Sequence, residues 1–108
     1  MRKKRSDRNH IIYKLTNNIT NESYIGVTVV RGRAYLKSLR SRWIRHIYKA
    51  NIGMAEYPIS ISIRTHGEES FTREILQIVR GKKNAFQTES TLINQHKPAL
   101  NTRMQQNN

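Results

Sequence analysis

Few side chains in this sequence have the types and spacing that chemistry needs. In "RWIRH", residues 42–46, Arg42 and His46 stand four apart. On a helix that spacing puts both on one stripe, about 100° from the stripe of Trp43 and Ile47. An arginine and a histidine at the edge of a packed face can offset charge on an anion and hold a proton. The plainer role is a solvated basic face, which suits Arg40, Arg45 and Lys49. The carboxylates number only seven: Asp7, Glu22, Glu56, Glu68, Glu69, Glu74 and Glu89. A two-metal nuclease needs several of them to converge. "GEES" is the one cluster, and it reads as an exposed turn. Glu89 falls within the apolar side of its segment, where a lone carboxylate is costly unless paired or metal-bound. A salt bridge to an arginine and a one-carboxylate metal site are both open. Mg2+ tolerates the second, because it keeps most of its waters and can share a phosphate oxygen.

Positioning these groups requires ordered elements. Residues 10–16 alternate, with Ile11, Tyr13 and Leu15 on one face and Ile12 and Lys14 on the other. "TNNITNES" has turn chemistry, and residues 23–29 read as a second strand, so a β-hairpin is expected. Its tyrosines, Tyr13 and Tyr24, are adequately explained as strand packing. Leu36, Leu39, Trp43, Ile47 and Ala50 follow helical spacing, predicting an amphipathic helix over 34–50 with stop signals at Asn51 and Gly53. "YPISISIRTHG" is ambiguous: Ile59, Ile61 and Ile63 alternate like a strand, yet Pro58 and Gly67 suit a helix's two ends. Residues 70–79 are a third strand candidate. Residues 84–96 form another helix, with Ala85, Leu92 and Ile93 inward, ended by Pro98. The order describes a small α+β sandwich: a three-stranded, mainly antiparallel sheet flanked by about three helices.

The chain has 108 residues, enough for one small core, and 36% are apolar. It has no cysteine, which excludes disulfides, thiolate metal sites and cysteine nucleophiles. No apolar run is long enough to span a membrane, and the basic N-terminus lacks a signal peptide's apolar segment. Twenty Lys/Arg oppose seven Asp/Glu for a net charge of +13. The first fifty residues carry +11 of it. Such a field points to a polyanion, and nucleic acid is the commonest for a soluble protein. A solubilising tail or a lipid-surface role is the competing explanation. Residues 1–9 read as a basic flexible tail, 10–103 as the folded domain and 104–108 as a second flexible tail.

"IIY" at 11–13 and "YIG" at 24–26, with their tyrosines eleven residues apart, resemble the paired motifs of the GIY-YIG nuclease superfamily. "RWIRH" resembles the arginine helix that follows them. "IRTHGEESFTREIL" (63–76) is similar to a helix, glycine turn and third strand in phage and intron-encoded members. "TESTLINQHKPALN" (88–101) resembles the glutamate helix and a proline-asparagine tail. Each motif is weak alone; five in the family's order, over nearly the whole chain, are strong. The chain departs at position 11, which is Ile where the family usually has Gly. The segment from Gly26 to Arg42 is also longer than in compact members. Arg33 and Arg40 therefore compete for the arginine role, but only Arg42 is followed by Trp and then His at the expected offsets.

The resemblance implies the element order β-β-α-α-β-α, with a helix at about 57–66 against the alternation. It implies an endonuclease that hydrolyses DNA phosphodiester bonds, nicking one strand, of phage or mobile-element type. Tyr13 and Tyr24 would be the motif tyrosines, one of which helps activate the nucleophile. Arg42 would stabilise phosphate charge, His46 would assist by hydrogen bonding, Glu89 would be the single ligand of one Mg2+ or Mn2+ ion, and Asn101 would support the site. Lys14, Arg31, Arg33, Arg40, Arg45 and Lys49 are the side chains expected to meet duplex DNA. The expected setting is the cytoplasm or nucleoid of a bacterial cell, away from membranes, as a monomer with a dimer as the alternative. The rival is a basic DNA-binding module without catalytic activity.

Overall fold

The computed structural model describes residues 8–53 and 57–101. The expected tail at 104–108 and all but two residues of the expected tail at 1–9 lie outside these. Seven elements follow one another: β1 (Asn9–Asn17), β2 (Ser23–Val29), α1 (Tyr35–Ile52), α2 (Pro58–His66), a 3-10 turn (Glu68–Ser70), β3 (Phe71–Arg80) and α3 (Lys82–His96). This is the expected order. The sheet runs β2-β1-β3 and is wholly antiparallel.

β1 is the central strand, and its sequence shows why. Ile11, Ile12, Tyr13 and Leu15 are all fully buried, so both of its faces are covered. Ile11, Tyr13 and Leu15 join Leu39, Trp43, Ile59 and Ile63 of α1 and α2 in the larger core. Ile12 and Ile25 join Ala85, Leu92 and Ile93 of α3 in a smaller core on the opposite face. The antiparallel register sets Tyr13 opposite Gly26 and Leu15 opposite Tyr24. Both tyrosines thereby stand on the α1 face of the sheet.

α1 buries Leu39, Trp43, His46 and Ala50, and Gly53 in the left-handed region closes it. Leu36, expected inward, is instead 75% exposed, because among the described residues no element covers that side of the first turn. The alternation in "YPISISIRTHG" loses to a helix. Pro58 takes the first helical position and Gly67 ends α2 at φ 87°. Ile59 and Ile63 enter the core while Ile61 is left 41% exposed, which a strand could not arrange. Ser62, on the buried side, accepts a hydrogen bond of 2.8 Å from the fully buried Asn17 side chain. Asn17 also caps the β1–β2 turn, its Oδ1 accepting from the backbone of Ile19 at 2.9 Å and Thr20 at 3.3 Å. One polar side chain thus ties the hairpin turn to α2.

After α3 the chain returns along the free edge of β2. The Leu100 backbone amide donates to the Ser23 carbonyl at 2.8 Å, and the Leu100 side chain is buried. This covers an edge that would otherwise be open to pairing with other chains.

Candidate active site

Four of the expected residues meet on the α1 face of the sheet. The Tyr13 hydroxyl lies 2.9 Å from His46 Nε2, and Arg42 Nε donates to the same hydroxyl at 3.4 Å. The rings of Tyr13 and Tyr24 are 6.2 Å apart, and Tyr24 meets His46 edge-on at 5.1 Å. The i, i+4 spacing of "RWIRH" does what it promised, bringing Arg42 and His46 down together onto the tyrosine pair. Arg42 spends only its Nε on Tyr13. Among the described residues neither terminal NH2 group has a hydrogen-bond partner, and the two keep the fork geometry that suits a phosphate.

Gly26 explains how two tyrosines fit here. A Cβ at this position would stand 2.5 Å from the Tyr13 hydroxyl oxygen and 2.8 Å from Tyr24 Cε2. Both rings therefore lean over a bare backbone, and only glycine provides it. Gly26→Ala should lose about 1–3 kcal/mol of stability through overpacking. It should also disturb the Tyr13–His46 contact, which a thermal melt and a cleavage assay on the same variant would register. Wild-type values in both would show that the rings tolerate the methyl. Ile11, in the family's glycine place, is a fully buried core residue two positions from Tyr13 on the same face. It adds packing beside the site and does not obstruct it.

Burial dominates the electrostatics. It pushes the Tyr13 phenol far above its ordinary value, with Tyr24 adding to the effect and Arg42 opposing it. Tyr24 is raised by the same cause, with Arg42 opposing and Glu89 adding. Both phenols are therefore neutral at physiological pH. Burial pulls His46 down to about 4, helped by the charges of Arg42 and Lys49, so it too is neutral. Unfolded histidine titrates near about 6.5, so the unfolded chain takes up the proton first as pH falls. Stability should decline from about pH 6.5 and level off below the folded value of about 4. That gap is worth roughly 3 kcal/mol. Melts of wild type and His46→Gln between pH 7.5 and 4.5 test this; parallel slopes for the two proteins would contradict it.

Tyr13 is 0% exposed, whereas Tyr24 reaches the surface. The two motif tyrosines are thus not equivalent. Tyr13 is placed to hold Arg42 and His46, and Tyr24 is the one that solvent can touch.

Glu89 comes from α3 and is half-buried. Burial raises its carboxyl above the usual range, and Arg42 acts against that rise. Together with its effect on Tyr24, this places Glu89 in the same electrostatic neighbourhood as the α1 groups. Among the described residues it makes no hydrogen bond and no close ion pair. The salt bridge that could have explained an inward glutamate is therefore absent there. An unpaired, partly desolvated carboxylate fits a cation ligand. Among the described residues no three His, Cys, Asp or Glu converge, so a cation held here would have Glu89 as its one carboxylate ligand.

Asn101 does not enter the site. Its side chain brackets Ile25, donating to the Ile25 carbonyl at 2.8 Å and accepting from the Ile25 amide at 2.9 Å. It pins the returning chain to β2 between Tyr24 and Gly26, so its part is positioning.

A groove of about 810 Å³ crosses the β2 edge between α1 and α3 and reaches Arg42. Arg31, Lys37, Arg42, Arg45 and Lys82 line it, and no carboxylate does. Of the side chains expected to meet DNA, Arg31 and Arg45 are brought here. Arg33, Arg40 and Lys49 are exposed but do not line the groove. Lys14 points to the opposite face of the sheet from Tyr13, set between Ile25 and Glu74 in register. Lys37, Lys82 and the aromatic Phe86 went unread. A signal for two of them existed: Lys82, Phe86 and Glu89 are spaced four and three, one stripe of α3.

The fold, a three-stranded antiparallel sheet with the tyrosine hairpin beneath α1 and with α3 behind, is shared with two solved structures. The catalytic domain of homing endonuclease I-TevI is similar, with a TM-score of 0.64 and 22% identity over 82% of this chain and 88% of that one. A single-residue variant of the catalytic domain of intron endonuclease I-TevI gives a TM-score of 0.70 and 19% identity, over 93% and 97%. No protein-family model and no curated protein matches the sequence. Among the described residues, no helix is long and apolar enough to cross a membrane.

Proposed function

We propose that this protein is a metal-dependent DNA endonuclease that cuts one strand of a duplex at a time. The observation that carries this reading is the meeting of Arg42, His46 and the two tyrosines, with Glu89 in electrostatic reach of Arg42 and Tyr24, beside a groove lined by five cations. The similar solved structures are catalytic domains of a homing endonuclease, which supports the same chemistry.

The chain's own residues divide the work. The groove's lysines and arginines hold phosphates on either side of the cut. Tyr13 fixes the guanidinium of Arg42 by its Nε, so that the terminal amines meet the scissile phosphate as charge grows on its oxygens. Tyr24, still protonated, orients the attacking water from the exposed side of the hairpin. His46, neutral at working pH, offers Nε2 to the Tyr13 hydroxyl and holds that ring in place. Glu89 would hold Mg2+ or Mn2+, which when bound lowers the pKa of a water and offsets charge on the leaving 3′ oxygen. The products would be a 5′-phosphate and a 3′-hydroxyl.

One site of this size makes one cut per encounter. Supercoiled plasmid should pass first to open circles and only later to linear molecules, in a reaction that needs Mg2+ or Mn2+. Linear product appearing together with circles at low protein would point to a dimer acting on both strands. A phage or mobile-element role is consistent with the similar intron endonuclease domain.

A further inference from the structure

Phe86 is the largest apolar side chain lining the cationic groove, larger than Val27, Val29 and Ala34, and it can do nothing for a phosphate. It sits on α3, 45% exposed, between Lys82 and Glu89 on one stripe. Its ring borders the groove on one side. On the other it borders a second hollow of about 740 Å³, lined by Lys83, Gln87, Ser90 and Thr91. The ring is therefore a ridge between two depressions. The Lys82 ammonium stands 5.8 Å from its centroid, an arrangement that keeps a cation at the ring while the charge faces water.

Position gives this ridge a meaning. Phe86 precedes Glu89 by three residues, about 4.5 Å along the helix axis. Phe86 and Arg42 line the same groove, so a strand held there with a phosphate at Arg42 passes within reach of Phe86. The groove's five cations and lack of carboxylates fit the charge of that strand.

We propose, resting on the nuclease reading, that Phe86 is a wedge that enters the base stack of duplex DNA beside the phosphate to be cut. Apolar side chains at such positions unstack a step and kink the duplex, at an energy that depends on the step. Pyrimidine–purine steps, TA and CA/TG, open most easily. The site then selects where it cuts by deformability, with no hydrogen bond to a base edge. Phe86 is a specificity-determining residue, and Lys82 steadies the phosphate beside the opened step.

Two readouts test this. A short duplex carrying 2-aminopurine at a central TA step is titrated with the wild-type chain in EDTA, where no cutting occurs. The fluorescence should rise on binding with wild type, rise nearly as much with Phe86→Leu, and stay flat with Phe86→Ala. Affinity and salt dependence should differ by less than about threefold, since the phosphate contacts remain. In Mg2+, nicks mapped along a whole plasmid should be enriched at TA and CA/TG steps, and Phe86→Ala should reduce that enrichment about tenfold. Unchanged enrichment and unchanged fluorescence in Phe86→Ala would overturn the wedge while leaving the nuclease reading standing. Phe86-dependent unstacking without any cleavage would do the reverse. Binding confined to single-stranded RNA would sink both.

Discussion

Arg42→Ala should lower the rate of DNA cleavage by about 10²–10³-fold, about 3–4 kcal/mol of barrier, with the fold intact. Arg42 is half-buried at the edge of α1, outside the packed stripe of Leu39, Trp43, His46 and Ala50. Its one hydrogen bond among the described residues is the 3.4 Å contact to Tyr13, long enough that its loss should cost stability little. What disappears is a fixed positive fork at the place where phosphate charge grows. Arg42→Lys should recover little of the rate, because an ammonium cannot hold Tyr13 by one nitrogen and face a phosphate with two others. The same arginine also holds Glu89 down against burial and helps keep His46 low. Without it the Glu89 carboxyl rises further, so the acid limb of the residual rate should move to higher pH. Rate profiles and melts of wild type, Arg42→Lys and Arg42→Ala would test this. A full-rate lysine variant would show that only net charge matters.

Glu89→Gln should abolish metal-dependent cleavage and leave the melting temperature unchanged or higher. Burial raises the Glu89 carboxyl, so the folded protein disfavours its ionised form above that pKa. Glutamine has nearly the same shape and no charge to desolvate. Keeping a carboxylate at this spot therefore works against stability, as expected of a residue retained for function. Binding of duplex DNA in EDTA should be as tight or tighter, because an anion beside the groove has gone. A variant that loses cleavage by unfolding would instead show a lowered melting temperature, and one that cuts normally in Mg2+ would remove Glu89 from the account.

The sequence shows the fold in outline where its patterns are local. The hairpin, α1, β3 and α3 each follow from spacing within one segment, and so does the pairing of Arg42 with His46. For α2 local spacing is ambiguous, because Ile59, Ile61 and Ile63 satisfy two periods at once, and only the resemblance favours a helix. The tie lies with Asn17, 45 positions away, whose bond to Ser62 rewards the helix. Leu36 misled for the converse reason: its spacing was right, but no neighbour arrived to cover it. The groove was the least legible feature. Lys37 and Lys82 line one groove only because α1 and α3 flank the same edge strand from opposite faces of the sheet. Arg33, Arg40 and Lys49 carry the same charge near by in sequence and turn elsewhere. Asn101, expected to support the site, holds the Ile25 backbone between Tyr24 and Gly26 with both ends of its amide.

We propose that one carboxylate, one arginine and a buried tyrosine–histidine pair form a phosphodiester-cleaving site. Its most direct test is a time course of supercoiled plasmid with purified wild type and Glu89→Gln side by side, in Mg2+ and in EDTA. The account predicts open circles from wild type in Mg2+ alone, with 5′-phosphate ends, and none from Glu89→Gln in either condition. Intact supercoiled plasmid after long incubation of folded, DNA-bound wild type in Mg2+ and Mn2+ would contradict it.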